Sequence, residues 1–336
     1  MNILVCYGTR PEWIKIKPLL NRFKQEGIRY DVLNVRQHTN LLEDTSEINY
    51  VLDIKSEPSN SNRLDNIIAN ITSIPSEAFL EKTHVLVQGD TATALMCAMA
   101  AFHRKIPVIH LEAGLRTRDK ENPYPEEVYR QMISRIADIH LAPTSTNMSN
   151  LNDEYVSGRY FKVGNTVLDN LLQFREQIEY GNEVLITLHR RENHDQISEW
   201  FDVISNIALG NNDITYTLPI HPNPNVKKHI DRLKGVNVVD PIPYDIFIQR
   251  LLKCRYLISD SGGIQEEASF LGKRVIVCRK ITERPETVGL TSALCYSPND
   301  LYALENEIRN NYKIEPNDIY GSGHSSADIV RILKSL

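Results

Sequence analysis

Short apolar runs alternate with amphipathic stretches along the chain, and this alternation restricts the fold more than any other feature of the sequence. Runs such as residues 3–7 and 30–35 in the first half, and 184–188 and 256–259 in the second, predict buried strands. Strands that alternate with helices form parallel sheets with helices on both faces. Two such series in 336 residues predict an α/β protein of two doubly wound domains.

The boundary between the two domains is predicted near residues 164–178, where a Gly-Asn turn and a long helix lead into a polar stretch. We expect an N-terminal domain over residues 1–168 and a C-terminal domain over 169–325. A final helix over 326–336 is able to pack back on the first domain. In two-domain proteins of this kind, ligands bind in the crevice at the carboxyl ends of the strands. Motifs that follow strands are therefore the places to search for chemistry.

Composition and residue spacing argue against several classes of function. A formal net charge of -5 is not typical of a nucleic-acid-binding protein, which would carry a basic excess. The 5 cysteines include no CxxC pair, and no metal-ligand spacing occurs, so we expect neither a disulfide framework nor a metal. No GxGxxG sequence follows the first strand, so a nicotinamide cofactor is not expected, nor any other. Without a signal sequence or an apolar run of about 20 residues, we expect a cytoplasmic protein that does not enter the membrane.

Three acidic residues in the first half follow predicted strands or open a predicted helix. Asp90 and Glu112 each come just after a strand, and two carboxylates at neighbouring strand ends repel each other. Repulsion favours a proton on one of them, which is the setting for proton transfer. Glu126 belongs to a Pro-Glu-Glu sequence after a polar stretch, residues 116–123, that we predict to be a mobile loop. The alternative is that Asp90 caps the next helix and Glu126 merely opens another.

The helix after the first strand begins with unusual charges. Thr9 and Glu12 predict a capping box at its start. Arg10 and Lys15 lie in its first turns, where positive charge is unfavourable unless an anion binds there. The alternative is a pair of solvated cations.

In the second half, two histidines and two aromatic residues occupy positions that suit ligand contacts. His189 and His221 each follow a predicted strand, and histidines at matching strand ends suggest a common ligand. The alternative at His189 is a surface turn rich in charge, and a lone histidine such as His221 is more often structural than functional. Tyr244 and Phe247 offer an aromatic wall for a flat base.

A Ser-Gly-Gly turn lies between a strand and a helix. The turn would present backbone N–H groups and a helix N-terminus, which together bind phosphate; its residues are Ser261, Gly262 and Gly263. Glu267, about one turn into the helix, suits hydrogen bonds from vicinal hydroxyls, and Arg284 suits a pyrophosphate. The alternative is a tight turn without a ligand. The residues alone thus predict an enzyme that handles a nucleotide diphosphate conjugate in a cleft.

Taken together, the motifs resemble those of the non-hydrolysing UDP-N-acetylglucosamine 2-epimerases. They occur in the family's order and span nearly the whole chain, so the combined pattern is specific. The matching segments are GTRPE at 8–12, QGDT at 88–91, HLEAGLRT at 110–117, PEE at 125–127, GNTVLD at 164–169, HRREN at 189–193, HPNPNV at 221–226, SDSGGIQEE at 259–267 and TERPE at 282–286.

The resemblance implies a GT-B-like fold of two Rossmann-like domains, a homodimer, and an active site in the interdomain cleft. It implies a UDP-sugar as the binding partner and a reaction without redox. UDP-N-acetylglucosamine and UDP-N-acetylmannosamine would interconvert by elimination and re-addition of UDP. The implied catalytic residues are Asp90, Glu112, Glu126 and His189. The implied UDP contacts are Arg10, Lys15, His221, Phe247, Ser261, Gly262, Gly263, Glu267 and Arg284.

The sequence also departs from the family pattern. Tyr129 stands where an Asn is usual after PEE, and Ile242 where a polar residue is common near the uridine. Gln37 and His38 resemble part of a second, activating UDP-sugar site that many relatives have. The sequence leaves open a hydrolysing epimerase, an epimerase of a modified UDP-2-acetamido sugar, a GT-B glycosyltransferase and a non-catalytic UDP-sugar sensor.

Overall fold

The computed structural model describes residues 1–36, 47–54, 62–71 and 73–336. These residues divide into two compact units. The first unit comprises Met1–Asn170 together with Gly323–Leu336, and the second comprises Leu171–Ser322. Each unit is built around its own parallel sheet.

The strands of the first unit are β1 (Asn2–Tyr7), β2 (Arg29–Arg36), β3 (Tyr50–Asp53), β4 (His84–Gln88), β5 (Val108–Leu111), β6 (Ile139–Ala142) and β7 (Arg159–Lys162). The strands of the second unit are β8 (Glu183–Thr187), β9 (Thr215–Pro219), β10 (Val236–Val239), β11 (Tyr256–Ser259), β12 (Val275–Val277) and β13 (Ser292–Leu294). The helices are α1 (Arg10–Glu26), α2 (Arg63–Ile71), α3 (Ala92–His103), α4 (Glu126–Ile136), α5 (Ser145–Asp153), α6 (Ile197–Gly210), α7 (Pro224–Lys227), α8 (Tyr244–Lys253), α9 (Gly262–Phe270), α10 (Pro298–Asn310) and α11 (Ser325–Ser335).

In the described residues, the second sheet repeats the strand order of the first, which has one more strand at its edge. The first sheet runs β3-β2-β1-β4-β5-β6-β7 and the second runs β10-β9-β8-β11-β12-β13. In each sheet the order reverses once, between β1 and β4 and between β8 and β11, and a Rossmann-type sheet binds its ligand at such a reversal. The predicted fold class of two doubly wound α/β units is therefore confirmed. Most of the candidate site residues follow the strands at these reversals or the strands next to them.

The central strands have side chains that are buried on both faces of the sheet. Along β1, Leu4 and Cys6 join one apolar cluster and Ile3 and Val5 join another, and all four are fully buried. A strand covered by helices on both faces needs this continuous apolar run rather than an alternating one. Burying each Val, Leu or Ile side chain contributes roughly 1.5–3 kcal/mol, which is why such runs determine the position of the strands.

The last helix of the chain packs on the first unit. Ile329 and Leu333 of α11 are buried in the same apolar cluster as Leu19 and Phe23 of α1. At the N-terminus of α11, the Asp169 carboxylate accepts hydrogen bonds from the backbone N–H groups of Ser325 and Ser326, at 3.0 and 2.7 Å. A carboxylate at a helix N-terminus also opposes the positive end of the helix dipole.

We expect Asp169→Asn to loosen α11, because it removes the charge that two helix N–H groups bind. The free energy of unfolding should fall by about 1–2 kcal/mol, the size of a lost helix cap. Amide hydrogen exchange should show faster exchange across α11. The matched control is Asp328→Asn in the same helix, because the Asp328 side chain is 44% exposed and forms an ion pair with the exposed Arg331. Equal exchange in the two variants would contradict the capping role.

Two local predictions are wrong. The long helix predicted within residues 164–178 is replaced by two short 3₁₀ helices, Thr166–Asn170 and Leu172–Gln177. In the first of these the Asn170 side chain donates to the Ile14 backbone carbonyl at 3.1 Å, a tertiary contact that the local sequence does not specify. The capping box at α1 is also absent, because the Thr9 hydroxyl donates to Glu12 instead of accepting from the helix backbone.

Candidate active site

The acidic residues of the first unit lie at the carboxyl ends of β4 and β5. These strands are parallel neighbours in which Gln88 pairs with Leu111, so Asp90 and Glu112 follow adjacent strand ends as predicted. Glu112 has a φ of 67°, in the left-handed region that bulky residues rarely occupy. Such a conformation costs about 1–3 kcal/mol and persists only where surrounding contacts enforce it.

Three donors hold the Glu112 carboxylate. The Lys15 ammonium lies 2.7 and 2.6 Å from its two oxygens, and the Asn165 amide donates to Oε1 at 2.9 Å. The Gln88 amide donates to Oε2. The Glu112 side chain is only 5% exposed, so these contacts form away from bulk water. The structure thus places Lys15, which was predicted to contact UDP, against a predicted catalytic acid.

A second ion pair holds Asp90. Arg130 of α4 donates from Nε at 2.9 Å and from Nη2 to the same Asp90 oxygen. The N-cap of α3 is Thr91, whose hydroxyl accepts from the Ala94 N–H group, so the alternative reading of Asp90 as a helix cap is wrong. Each of the two strand-end carboxylates therefore has its own cation, and the repulsion expected between them is offset. Asp90 keeps a side chain that is 24% exposed.

The two adjacent glutamates at the start of α4 have different environments. Glu127 is fully buried and accepts from the backbone N–H groups of Thr117 and Arg118, both at 3.0 Å, and from Arg130 at 3.1 Å. Glu126, the first residue of α4, is half-buried. Glu127 therefore holds the start of the loop over residues 116–123, which was predicted to be mobile. Glu126 is the residue of the pair that is partly exposed.

Two buried groups support these loops and were not predicted from the sequence. Glu12 accepts from the Gly8 N–H group at 3.0 Å and from the Thr91 hydroxyl at 2.7 Å, which joins the loops after β1 and β4. Burial raises the pKa of the Glu12 carboxyl. Burial also lowers the pKa of His110 to about 3, so its ring is neutral and Nε2 donates to the Gly89 carbonyl at 2.8 Å. The signal for Glu12 was present as the apparent capping box.

In the second unit, the turn after β8 is organised around Asp260, which follows the adjacent strand β11. Asp260 is fully buried, and its Oδ2 accepts from the His189 and Arg190 N–H groups at 2.8 Å each. The Asn193 amide donates to the same oxygen at 3.1 Å. Asp260 lies within a motif that the sequence singled out, but its role there was not predicted.

The two histidines that follow strand ends meet in the structure. The rings of His189 and His221 stack with centroids 4.8 Å apart and an interplanar angle of 10°. The His189 side chain is 36% exposed. The structure therefore brings together the pair for which the sequence suggested a common ligand.

The Ser-Gly-Gly turn opens α9, with Ser261 as the N-cap. A Cβ added to Gly262 would lie 2.5 Å from Nη1 of Arg284 and 2.7 Å from Oε1 of Glu283, so a larger residue there would have to displace this ion pair. A Cβ added to Gly263 would meet no described atom within 4 Å. Gly262 therefore leaves room for the Arg284–Glu283 ion pair, and Gly263 leaves open space beside the helix N-terminus.

The Arg284 guanidinium lies next to Gly262 of this turn and is paired with carboxylates. It is 4% exposed and donates to Glu266 and Glu283, both at 2.5 Å. Much of its charge is therefore balanced within the protein, which the sequence did not indicate. Its contact with a pyrophosphate stays a prediction.

The predicted base and ribose contacts lie near one another in the second unit. The Tyr244 hydroxyl donates to Glu267 Oε1 at 2.6 Å, and burial raises the pKa of Tyr244. Phe247, also in the first turn of α8, is half-buried. In the first unit, Arg10 is the first residue of α1 and is half-buried too.

Gln37 and His38, the residues that resemble an activating site, lie outside the described residues. Among the residues that the structure describes, no helix has the length and apolar character to cross a bilayer. The same part of the chain holds no cluster of three or more His, Cys, Asp or Glu side chains arranged for a metal.

The chain has two Rossmann-like sheets. Carboxylates lie near the reversal of strand order in the first sheet, and a glycine turn lies at the reversal in the second. These features define an enzyme of the GT-B-like class. The family model described as UDP-N-acetylglucosamine 2-epimerase matches residues 25–334. The UDP-N-acetylglucosamine 2-epimerase of Campylobacter jejuni is 37% identical over 323 residues, 85% of this chain and 83% of that protein. The one of Escherichia coli K12 is 33% identical, with 100% of this chain and 99% of that protein covered.

A solved structure agrees with these relatives. The UDP-GlcNAc 2-epimerase of Neisseria meningitidis bound to UDP-GlcNAc has a TM-score of 0.91 and 33% identity, with 100% of both chains covered. The chain belongs to the UDP-N-acetylglucosamine 2-epimerase family, whose members are isomerases.

Proposed function

We propose that this enzyme epimerises UDP-N-acetylglucosamine at C2 to UDP-N-acetylmannosamine without hydrolysis, by elimination and re-addition of UDP. The observation that carries the proposal is the set of carboxylates at the carboxyl ends of β4 and β5, with Glu112 held in a strained conformation by three donors. A relative of 33% identity was solved with UDP-GlcNAc bound, which supports the substrate.

The reaction needs proton transfer at one carbon and departure of a good leaving group at its neighbour. A base removes the C2 proton while the C1–oxygen bond to UDP breaks, and this leaves a glycal and UDP. A proton then adds to C2 from the opposite face, and UDP re-forms the bond at C1. No electron or water molecule is consumed overall. Inversion requires proton-carrying groups that reach both faces of C2, and we propose Asp90, Glu112, Glu126 and His189 as the residues that supply them.

The nucleotide contacts are proposed mainly in the second unit. The open space at Gly263 beside the start of α9 suits a diphosphate, because helix N–H groups bind anions. Glu267 suits the ribose hydroxyls and Phe247 the base. We propose the remaining predicted UDP contacts on the same grounds of motif position: Arg10, Lys15, His221, Ser261, Gly262 and Arg284.

One NMR time course tests the proposal. Purified protein is incubated with UDP-N-acetylglucosamine in deuterated buffer, and we expect deuterium at C2 in both epimers with no free sugar. A C2 proton that never exchanges would overturn the proposal. Free N-acetylmannosamine with an equal amount of UDP would show hydrolysis instead.

A further inference from the structure

We propose that Asp260 is a positioning residue for His189. Its Oδ1 oxygen accepts a hydrogen bond from the Nδ1–H group of the imidazole and so directs Nε2 toward the substrate. The inference rests on the proposed function, in which His189 is a catalytic residue. Asp260 itself is fully buried and acts only through His189.

The two oxygens of Asp260 have different surroundings. Oδ2 accepts from three donors of the turn after β8, namely the His189 N–H, the Arg190 N–H and the Asn193 amide. Oδ1 is buried and has no hydrogen-bond partner among the described residues. A buried carboxylate oxygen without a donor costs free energy, so a donor is expected nearby.

The His189 ring is placed to supply that donor. Its Nδ1 lies 3.5 Å from Asp260 Oδ1, which a small ring rotation would shorten to a normal hydrogen bond. Catalytic hydrogen bonds are often long in the absence of substrate and tighten when it binds. Since the side chain is 36% exposed while Asp260 is fully buried, the part of the ring away from Asp260 is the accessible part.

Other contacts limit how the ring can move. The His221 ring stacks on one face at 4.8 Å and 10°, which restricts the plane of the imidazole. The backbone of His189 is held by Asp260 through its N–H and by His194 Nε2 at its carbonyl, at 3.0 Å. With the backbone and the ring plane restricted in this way, two features of the imidazole stay variable: which ring nitrogen faces Asp260, and which nitrogen carries the proton. A carboxylate can only accept, so it selects Nδ1–H and leaves Nε2 for the substrate.

Asp260→Asn tests the inference because the amide reverses the hydrogen bond. The asparagine oxygen can still accept from the turn, but its NH₂ group faces Nδ1 and donates to it, which favours the Nε2–H tautomer. An aspartate-to-asparagine change in the Ser-His-Asp triad lowers kcat by about 10⁴-fold for this reason. We expect a loss in kcat on the order of 10²-fold to 10⁴-fold with little change in KM.

The tautomer is read directly by long-range ¹H–¹⁵N NMR of the histidine rings, at a pH where they are neutral. Signals of His189 are those missing from His189→Gln. We expect Nδ1–H in the wild type and Nε2–H in Asp260→Asn. The matched control, Asn193→Ala, removes a different donor from Oδ2 and should keep the Nδ1–H tautomer even if the turn loosens.

The outcomes separate this inference from the proposed function. A wild-type His189 that carries its proton on Nε2 would overturn the inference, even if Asp260→Asn fails to fold. An unchanged tautomer in a folded Asp260→Asn would overturn it as well. If the tautomer reverses as expected but the wild type has no epimerase activity, the positioning role stands and the proposed function fails.

Discussion

Glu112→Gln is expected to lower turnover by about 10²-fold to 10⁴-fold, the usual contribution of a general acid or base. Glutamine has nearly the same shape but carries neither the charge nor the exchangeable proton of the carboxyl group. It would also turn an amide toward Lys15, which now binds both carboxylate oxygens at 2.7 and 2.6 Å. Most UDP binding should persist, because Lys15 is the proposed UDP contact that touches Glu112 and the nucleotide contacts proposed in the second unit are unchanged. Turnover is measured by NMR and UDP affinity by calorimetry.

The matched control for this variant is Glu121→Gln. The Glu121 side chain is 65% exposed, and its ion pair with Lys120 is long, at 3.9 Å. Such exposed pairs contribute little, so turnover and stability should both stay near the wild-type values. Wild-type turnover in Glu112→Gln would remove Glu112 from the catalytic set. A loss of UDP binding that matches the loss of turnover would instead indicate a defect of binding.

Gly114→Ala is expected to cause the largest loss of stability, at least roughly 3 kcal/mol from overpacking and backbone strain together. Gly114 has a φ of +87°, and an added Cβ would lie 2.3 Å from the backbone oxygen of Asn147 in α5. That oxygen cannot move easily, because Asn147 forms a capping box with Thr144 at the start of α5. The chain after β5 would have to shift, and this segment also carries Glu112.

Thermal and denaturant unfolding measure the effect, and Gly210→Ala is the control. Gly210 ends α6, has no positive φ, and an added Cβ there meets no described atom within 4 Å. Alanine at such a position stabilises by about 0.4–1 kcal/mol through the unfolded state. If both alanine variants had the same stability, the close approach between Gly114 and Asn147 would not exist in solution.

Several features of the site followed from the sequence. A parallel sheet places all its strand ends on one edge, so residues that follow strands are neighbours without any knowledge of the tertiary structure. This argument correctly paired Asp90 with Glu112 at adjacent strand ends, and His189 with His221, whose rings stack. The competing interpretation of Asp90 as a helix cap is wrong, since Thr91 takes that role.

Pairings between side chains could not be predicted in this way. Lys15 and Glu112 are 97 positions apart, and Arg130 and Asp90 are 40 apart, so no local pattern indicates that they meet. The sequence also cannot distinguish a buried Glu127 from its half-buried neighbour, because the difference depends on the Thr117 and Arg118 N–H groups that donate to Glu127.

By itself, the sequence determined the two doubly wound sheets and the strand ends at which the site residues lie. The pattern of apolar residues determines both, because burial of apolar side chains is the dominant favourable term in folding. Only the tertiary structure decided which acidic side chains are paired with cations. It also decided that Arg284 pairs with Glu266 and Glu283, and that Asp260 lies next to His189. Those contacts depend on directional bonds of a few ångströms between distant segments, which are set only after the loops have packed.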